Sequence, residues 1–263
     1  MRIVVCIKQV PDTTEVKLDP VKGTLIREGV PSIINPDDKA GLEAALRIKE
    51  QAGGTVAVVS MGPSQADVAL REALAMGADE AYLVTDRAFG GADTWATSYT
   101  LSVAIRKIGF DLIICGRQAI DGDTAQVGPQ IAQHLDLPQV SYVEGIERIS
   151  GNKLVLKRQF EDRYHLLEVE LPCVLTALSE LNKPRYMSVS GVFEAYREKE
   201  VRRLTFEDLK EDIDVANIGL KGSPTNVKQS FTKQPKGKGE KLELEPEEAV
   251  LAIVSRLRAK NLI

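Results

Sequence analysis

The chain has 263 residues, enough for one large α/β domain with appendages or two small domains, and the first is favoured. Hydrophobic residues make up 43% and charged residues 27%, so a sizeable core can be buried and general disorder is excluded. The 34 basic and 38 acidic residues leave a net charge of -4, which draws the chain to neither nucleic acid nor anionic lipid, and neither partner is expected.

Residues 2–8 (RIVVCIK) form a short β-branched run that suits a central strand covered on both faces. A turn-rich stretch with Pro11, Asp12, Pro20 and Gly23 separates it from residues 37–51, where Leu42, Ala45, Leu46 and Ile48 recur at helical spacing. Acids come first and bases later in that segment, which complements a helix dipole. Gly53 and Gly54 end the helix, and residues 55–60 (TVAVVS) read as a second buried strand. Alternation continues with a helix over 64–76 that has Ser64 as its candidate N-cap, a strand over 81–85, a helix over 94–107 and a strand over 110–115 (FDLIIC). Strands separated by helices of this length imply βαβ units, hence an α/β fold with a doubly wound, mostly parallel sheet.

From residue 140 the pattern changes. A hairpin over 149–156 turning at Ser150, Gly151 and Asn152, then alternation over 166–171, predicts an antiparallel edge, with 174–177 as a last short core strand. Residues 221–241, rich in Lys, Gly, Pro and Ser, read as a linker or extended arm. Beyond it, Val250, Leu251, Val254 and Leu257 stripe a terminal amphipathic helix that needs a partner surface to cover. The expected division is an α/β domain over 1–220 and an arm with its helix over 221–263.

In open parallel sheets ligands lie beyond the carboxyl ends of the strands. Four segments fall there: residues 8–13 (KQVPDT), 60–63 (SMGP), 89–97 (FGGADTWAT) and 116–129 (GRQAIDGDTAQVGP). In the last, Gly116, Gly122 and Gly128 let the backbone approach a ligand, and Pro129 places a helix start near Val127 or Gly128. Residues 121–126 are then a loop of free amide donors where phosphate can dock. Asp121 and Asp123 would repel a diphosphate, so they accept from ribose hydroxyls, shape the loop or cap the helix. FGGADTWAT offers a second ligand-contacting loop, or simply a helix start capped by Asp93 or Thr94. Lys8 either brings positive charge to a phosphate or is a solvated strand-end residue.

No GxxxxGK[ST] loop occurs and no GxGxxG follows the first strand, which disfavours a P-loop nucleotidase and a standard Rossmann dehydrogenase. Cys6, Cys115 and Cys173 lack redox or zinc spacing and read as reduced thiols. His134 and His165 are the only histidines, so no metal site and no catalytic triad is expected. No stretch approaches the ~20 apolar residues of a membrane span, and the expectation is a soluble cytoplasmic protein.

Four ordered motifs, VVCIKQVPD from Val4, ALAMGADEA from Ala73, GRQAIDGDTAQVGP from Gly116 and LNKPRY from Leu181, resemble the β subunits of electron transfer flavoproteins. The resemblance implies a Rossmann-like, adenine-nucleotide-binding domain paired with an α subunit that carries one FAD in a mobile domain. It implies nucleotide contacts at Cys6, at Asn35, Asp37 and Asp38, at Met61 and Gly62, and along Gln118, Asp121, Gly122, Asp123, Thr124, Ala125, Gln126, Val127 and Gly128. Thr94 and Thr97 are implied to face the isoalloxazine, and no catalytic side chain is required. LNKPRY resembles the loop that docks acyl-CoA dehydrogenases, with Leu181 as its apolar anchor.

Members that hold AMP have a bulkier, more acidic loop of the form AIDDD, whereas AIDGDTAQVGP resembles members whose β subunit binds FAD. Those members take hydride from NADH and bifurcate electrons, one through the α-subunit FAD toward an acyl-CoA dehydrogenase and one to ferredoxin or flavodoxin. The alternative is a conventional subunit that holds AMP structurally. The segment after Arg158, QFEDRYHLLEVELP, departs from the family in lacking paired glycines.

Overall fold

The computed structural model describes residues 1–12, 31–228, 239 and 241–263, which fall in two compact units, Met1–Lys228 and Gln229–Ile263. The turn-rich stretch around Pro20 and Gly23 and most of the arm expected over 221–241 lie outside the described residues.

Strand β1 (Arg2–Cys6) is central because its apolar run is buried completely, Ile3 and Val5 packing on one face of the sheet and Val4 on the other. A short antiparallel ladder of β2 (Gln9–Pro11) and β3 (Ser32–Ile34) leads to helix α1 (Pro36–Ala52). Pro36 opens that helix, Asp37 and Asp38 occupy its first turn, and Gly53 at φ 73 ends it. The chain then runs β4 (Thr55–Met61), α2 (Asp67–Met76), β5 (Glu80–Val84), α3 (Thr94–Ile108), β6 (Leu112–Gly116) and α4 (Val127–Leu135). There follow β7 (Gln139–Ser150), β8 (Lys153–Gln159), β9 (Tyr164–Glu170), β10 (Cys173–Ala177), α5 (Val189–Arg197), β11 (Val201–Leu204) and α6 (Phe206–Leu209). Helix α7 (Pro246–Ala259) belongs to the second unit.

The large sheet has the order β11-β5-β4-β1-β6-β10-β7-β8-β9. Neighbours are parallel from β11 to β7 and antiparallel from β7 to β9, the doubly wound sheet with an antiparallel edge that the sequence implies. Side chains of α1, α2 and α5 cover one face, and those of α3 and α4 cover the other. Buried leucines and isoleucines such as Ile3, Leu42, Leu70, Ile105 and Ile131 contribute about 1.5–3 kcal/mol each. Among the described residues no helix is long and apolar enough to cross a membrane.

The structure corrects one local expectation. Ser64 caps nothing: the chain makes a single tight turn over Ser64–Ala66, with Ala66 donating to the Pro63 carbonyl, and α2 begins only at Asp67. It also adds β11 at one sheet edge and α5, whose N-cap Ser188 accepts from Gly191.

Candidate functional site

The chain leaves β1 toward β4 and β5 on one side and returns to β6 on the other, so the connections diverge beyond the carboxyl ends of β1 and β6. A cleft of about 820 Å³ opens there, toward the upper end of the ~300–1,000 Å³ typical of ligand sites. The ends of β1 and β4 and the loop between β6 and α4 form three sides, and residues 84–97 form the fourth.

Of the residues singled out in the sequence, Cys6, Lys8, Asp38, Met61, Gly62, Thr94, Thr97, Gly116, Gln118, Gly122, Thr124, Ala125, Gln126, Val127 and Gly128 line this cleft. Asn35, Asp37, Asp121 and Asp123 do not; each bonds to the structure that shapes the walls. Asn35 has no exposed surface, and its side chain donates to the Gln118 carbonyl (2.8 Å) and accepts from the Ile120 N–H (3.0 Å). Asp121 takes the Lys8 ammonium at 2.6 Å with its own side chain only 5% exposed, and Asp123 accepts from Gln118 Nε2 at 2.5 Å. Neither aspartate caps α4, whose N-cap is Gln126 with no side-chain cap bond. Of the roles open to them, they shape the loop.

That bracing leaves donors free. Among the described residues the backbone N–H groups of Thr124, Ala125, Gln126, Val127 and Gly128 find no acceptor, and all five residues line the cleft. The first turn of α4 holds no acidic side chain, so its positive dipole end is uncompensated. Ala125 sits at φ 52, a left-handed conformation that costs a non-glycine residue about 1–3 kcal/mol and needs an over-determined loop to hold it. Five free amides at a helix N-terminus fit an anionic group such as the phosphate of a nucleotide. A side chain added at Gly122 would meet nothing within 4 Å, so this face of the loop has room for a ligand.

Asp38 ties the cleft floor together, accepting from the Lys8 N–H (2.8 Å) and the Gly116 N–H (3.0 Å) across β1 and β6. Only glycine fits at 116, because a Cβ there would lie 2.1 Å from Asp38 Oδ1. Burial pushes the Asp38 carboxyl up to about 7, against the pull of those hydrogen bonds. Cys6 and Cys115 also line the cleft, and interaction with Cys6 followed by burial pushes the Cys115 thiol up, away from a reactive thiolate.

Sequence reasoning missed two features. Arg117 lines the cleft, lies 3.4 Å from Asp37 and faces the Tyr142 ring at 6.0 Å. Tyr142 is placed there by an irregularity in the β7–β10 register, where it adopts φ 59 and donates its N–H to Thr176 Oγ1. The second feature is the wall from Val84 to Asp93, of which only the FGGAD stretch carried a visible signal.

Asp37 connects the cleft rim to a second region. It accepts from the Ser179 N–H (3.0 Å), and desolvation raises its pKa although Arg117 opposes it. Next along the chain, Asn182 donates to the Ala40 carbonyl, and Arg185 binds both Glu43 and Glu50 on α1. Burial disfavours the Glu43 charge, yet Arg185 and Arg47 outweigh it and hold the carboxyl below its usual range. The LNKPRY segment is therefore preformed on α1. Leu181 is half-buried against the core, and the most exposed apolar side chains among the described residues follow it, Tyr186 at 93% and Val189 at 91%.

The sheet, its switch-point cleft and the free helix N-terminus define a doubly wound α/β protein of nucleotide-binding type. A family model for the electron transfer flavoprotein domain matches residues 22–209. The chain is 59% identical over 263 residues to an electron transfer flavoprotein subunit beta of Clostridium acetobutylicum, covering 100% of both. It is 56% identical to the caffeyl-CoA reductase-Etf complex subunit CarD of Acetobacterium woodii, again over 100% of both, and 48% identical to the protein FixA of Azotobacter vinelandii over 90% of this chain and 86% of that one. The chain belongs to the electron transfer flavoprotein family, as a β-subunit type member.

Proposed function

We propose that this chain is the β subunit of a cytoplasmic heterodimeric electron transfer flavoprotein and that its cleft holds FAD rather than AMP. When bound, the flavin supplies two-electron acceptance from NADH and division of the electrons between an α-subunit FAD leading to an acyl-CoA dehydrogenase and a ferredoxin or flavodoxin. The observation that carries this reading is the β6–α4 loop: free amides from Thr124 to Gly128 beside Gly122, which carries no side chain and opens onto free space. The cleft volume, toward the large end for a ligand site, supports a dinucleotide over a mononucleotide.

The residues of this chain bind and orient. Lys8 and Asp121 neutralise each other and keep the loop closed without adding net charge beside the phosphates. The amides of Thr124 to Gly128 take the anionic oxygens, while Met61, Gly62, Thr94 and Thr97 line the remainder of the cleft. With Cys115 held as a thiol and no histidine in the lining, no side chain here competes for the chemistry. Asn35, Asp37, Asp121 and Asp123 act on the nucleotide by holding this arrangement. Names of relatives that include caffeyl-CoA reductase and acryloyl-CoA reductase support an acyl-CoA partner, docked at Leu181 and the exposed side chains after it. The first residues of the C-terminal arm, through Thr225, stay on this chain, and the terminal helix α7 packs on the α subunit.

Anaerobic titration of the purified heterodimer with NADH tests the reading. Loss of the oxidised flavin absorbance at stoichiometric NADH is expected, and an absorbance that NADH leaves untouched overturns it.

A further inference from the structure

The cleft wall between Gly90 and Thr94 is held from behind by a segment that lines no part of the cleft. Leu220 donates its N–H to the Gly90 carbonyl (3.0 Å). Ser223 Oγ accepts from the Asp93 N–H (2.8 Å) and donates to the Gly219 carbonyl (2.7 Å). Thr225 directs both its N–H (3.0 Å) and its hydroxyl (2.7 Å) at Asp93 Oδ2, while Asp93 Oδ1 caps α3 by accepting from Ala96 (3.0 Å).

The fit is close. Gly219 sits at φ 58, and a Cβ there would lie 2.2 Å from the Ala88 carbonyl oxygen; Gly91, at φ 74, faces Leu220. Ile218 anchors the segment in the core beside α3. Gly90 and Gly91 give the wall more backbone freedom than any other residue type would, and these bonds remove it. Asp93 is thus a bracket with one oxygen on the helix and the other on the strap, joined by charge-assisted bonds that are stronger than neutral ones.

We propose that Ser223 and Thr225 are positioning residues for the cleft, fixing the wall from Gly90 to Thr94 and through it the retention of the bound nucleotide. The retention half rests on the reading of the cleft given above; the positioning half does not.

The test uses the full heterodimer carrying Thr225→Val, Thr225→Ser or Ser223→Ala in this chain. Two quantities are measured: release of nucleotide over time, quantified by chromatography, and amide hydrogen exchange in residues 89–97. Thr225→Val is expected to release nucleotide about tenfold faster, the size of one charge-assisted bond, Ser223→Ala, which loses bonds between neutral groups, about threefold faster, and both are expected to exchange faster in that segment. Thr225→Ser, which keeps the hydroxyl, is expected to match the unmodified protein in both. Unchanged exchange in Thr225→Val overturns the proposal, as does a Thr225→Ser variant as impaired as Thr225→Val, since packing of the methyl group would then be the cause. Faster exchange with unchanged release overturns the functional half. A heterodimer with no nucleotide in this chain instead overturns the reading of the cleft, and the exchange data still decide whether the strap holds the wall.

Discussion

Replacing Asn35 with alanine removes a side chain that satisfies two backbone groups at the base of the β6–α4 loop. The Gln118 carbonyl and the Ile120 N–H lose bonds of 2.8 and 3.0 Å beside a position with no exposed surface. Each buried group left without a partner costs about 1–3 kcal/mol, so two cost roughly 2–6 kcal/mol. Water entering from the adjacent cleft relieves part of this, and the expected loss is about 2–4 kcal/mol. In a domain of this size 1 kcal/mol lowers the melting temperature by about 2–4 °C, which puts the expected shift at roughly 5–15 °C. Urea denaturation gives the free energy and a thermal scan the shift, both on protein freed of nucleotide. Asn35→Asp keeps the acceptor but turns a carboxylate toward the Gln118 carbonyl, and is expected to be no milder. A loss below about 0.5 kcal/mol in Asn35→Ala, the level of an ordinary surface substitution, refutes the bracing role.

Asp38 gives a pH signature. Its folded pKa of about 7 exceeds the ordinary value of about 3.9, so between those values the folded protein keeps a proton that the unfolded chain has lost. Stability therefore falls as pH rises through that window, by up to about 1.4 kcal/mol per pH unit, and levels off above it; subtracting the profile of Asp38→Asn isolates the slope, and equal profiles refute it. Lys8→Met leaves the nearly buried Asp121 carboxylate unpaired next to the anion site, so nucleotide affinity measured by calorimetry is expected to fall about tenfold, with recovery in Lys8→Met/Asp121→Asn. Gly128→Ala places a Cβ 2.7 Å from Thr176 Cγ2 and is expected to cost about 1–3 kcal/mol in denaturation, most of it regained when Thr176→Ser removes that methyl but keeps the hydroxyl for Tyr142.

What the sequence reveals here is what local physics controls. The unbroken apolar runs of β1, β4 and β6 identify a parallel sheet buried on both faces, and the alternation after residue 140 identifies its antiparallel edge. Pro129 is enough to place the start of α4 and leave a loop before it. Loop-shaping was one of the roles open to Asp121, but the partners of Asn35 and Asp121 were out of reach because they lie 83 and 113 residues away, and no periodicity reports such a pairing. Strand β11 was silent because VRRL buries only its valine, as befits an edge. Ser223 and Thr225 sit in a Lys-, Gly- and Pro-rich stretch whose composition suggests a linker, yet their hydroxyls find Asp93 only once the sheet has brought α3 beside them.

Counting the nucleotides released from the denatured heterodimer of this chain with its α subunit tests the central claim most directly. Two FAD per heterodimer is the expected result and places a flavin in the cleft beside Gly122. One FAD with one AMP contradicts it and leaves this chain a structural nucleotide binder whose partner carries the electrons alone.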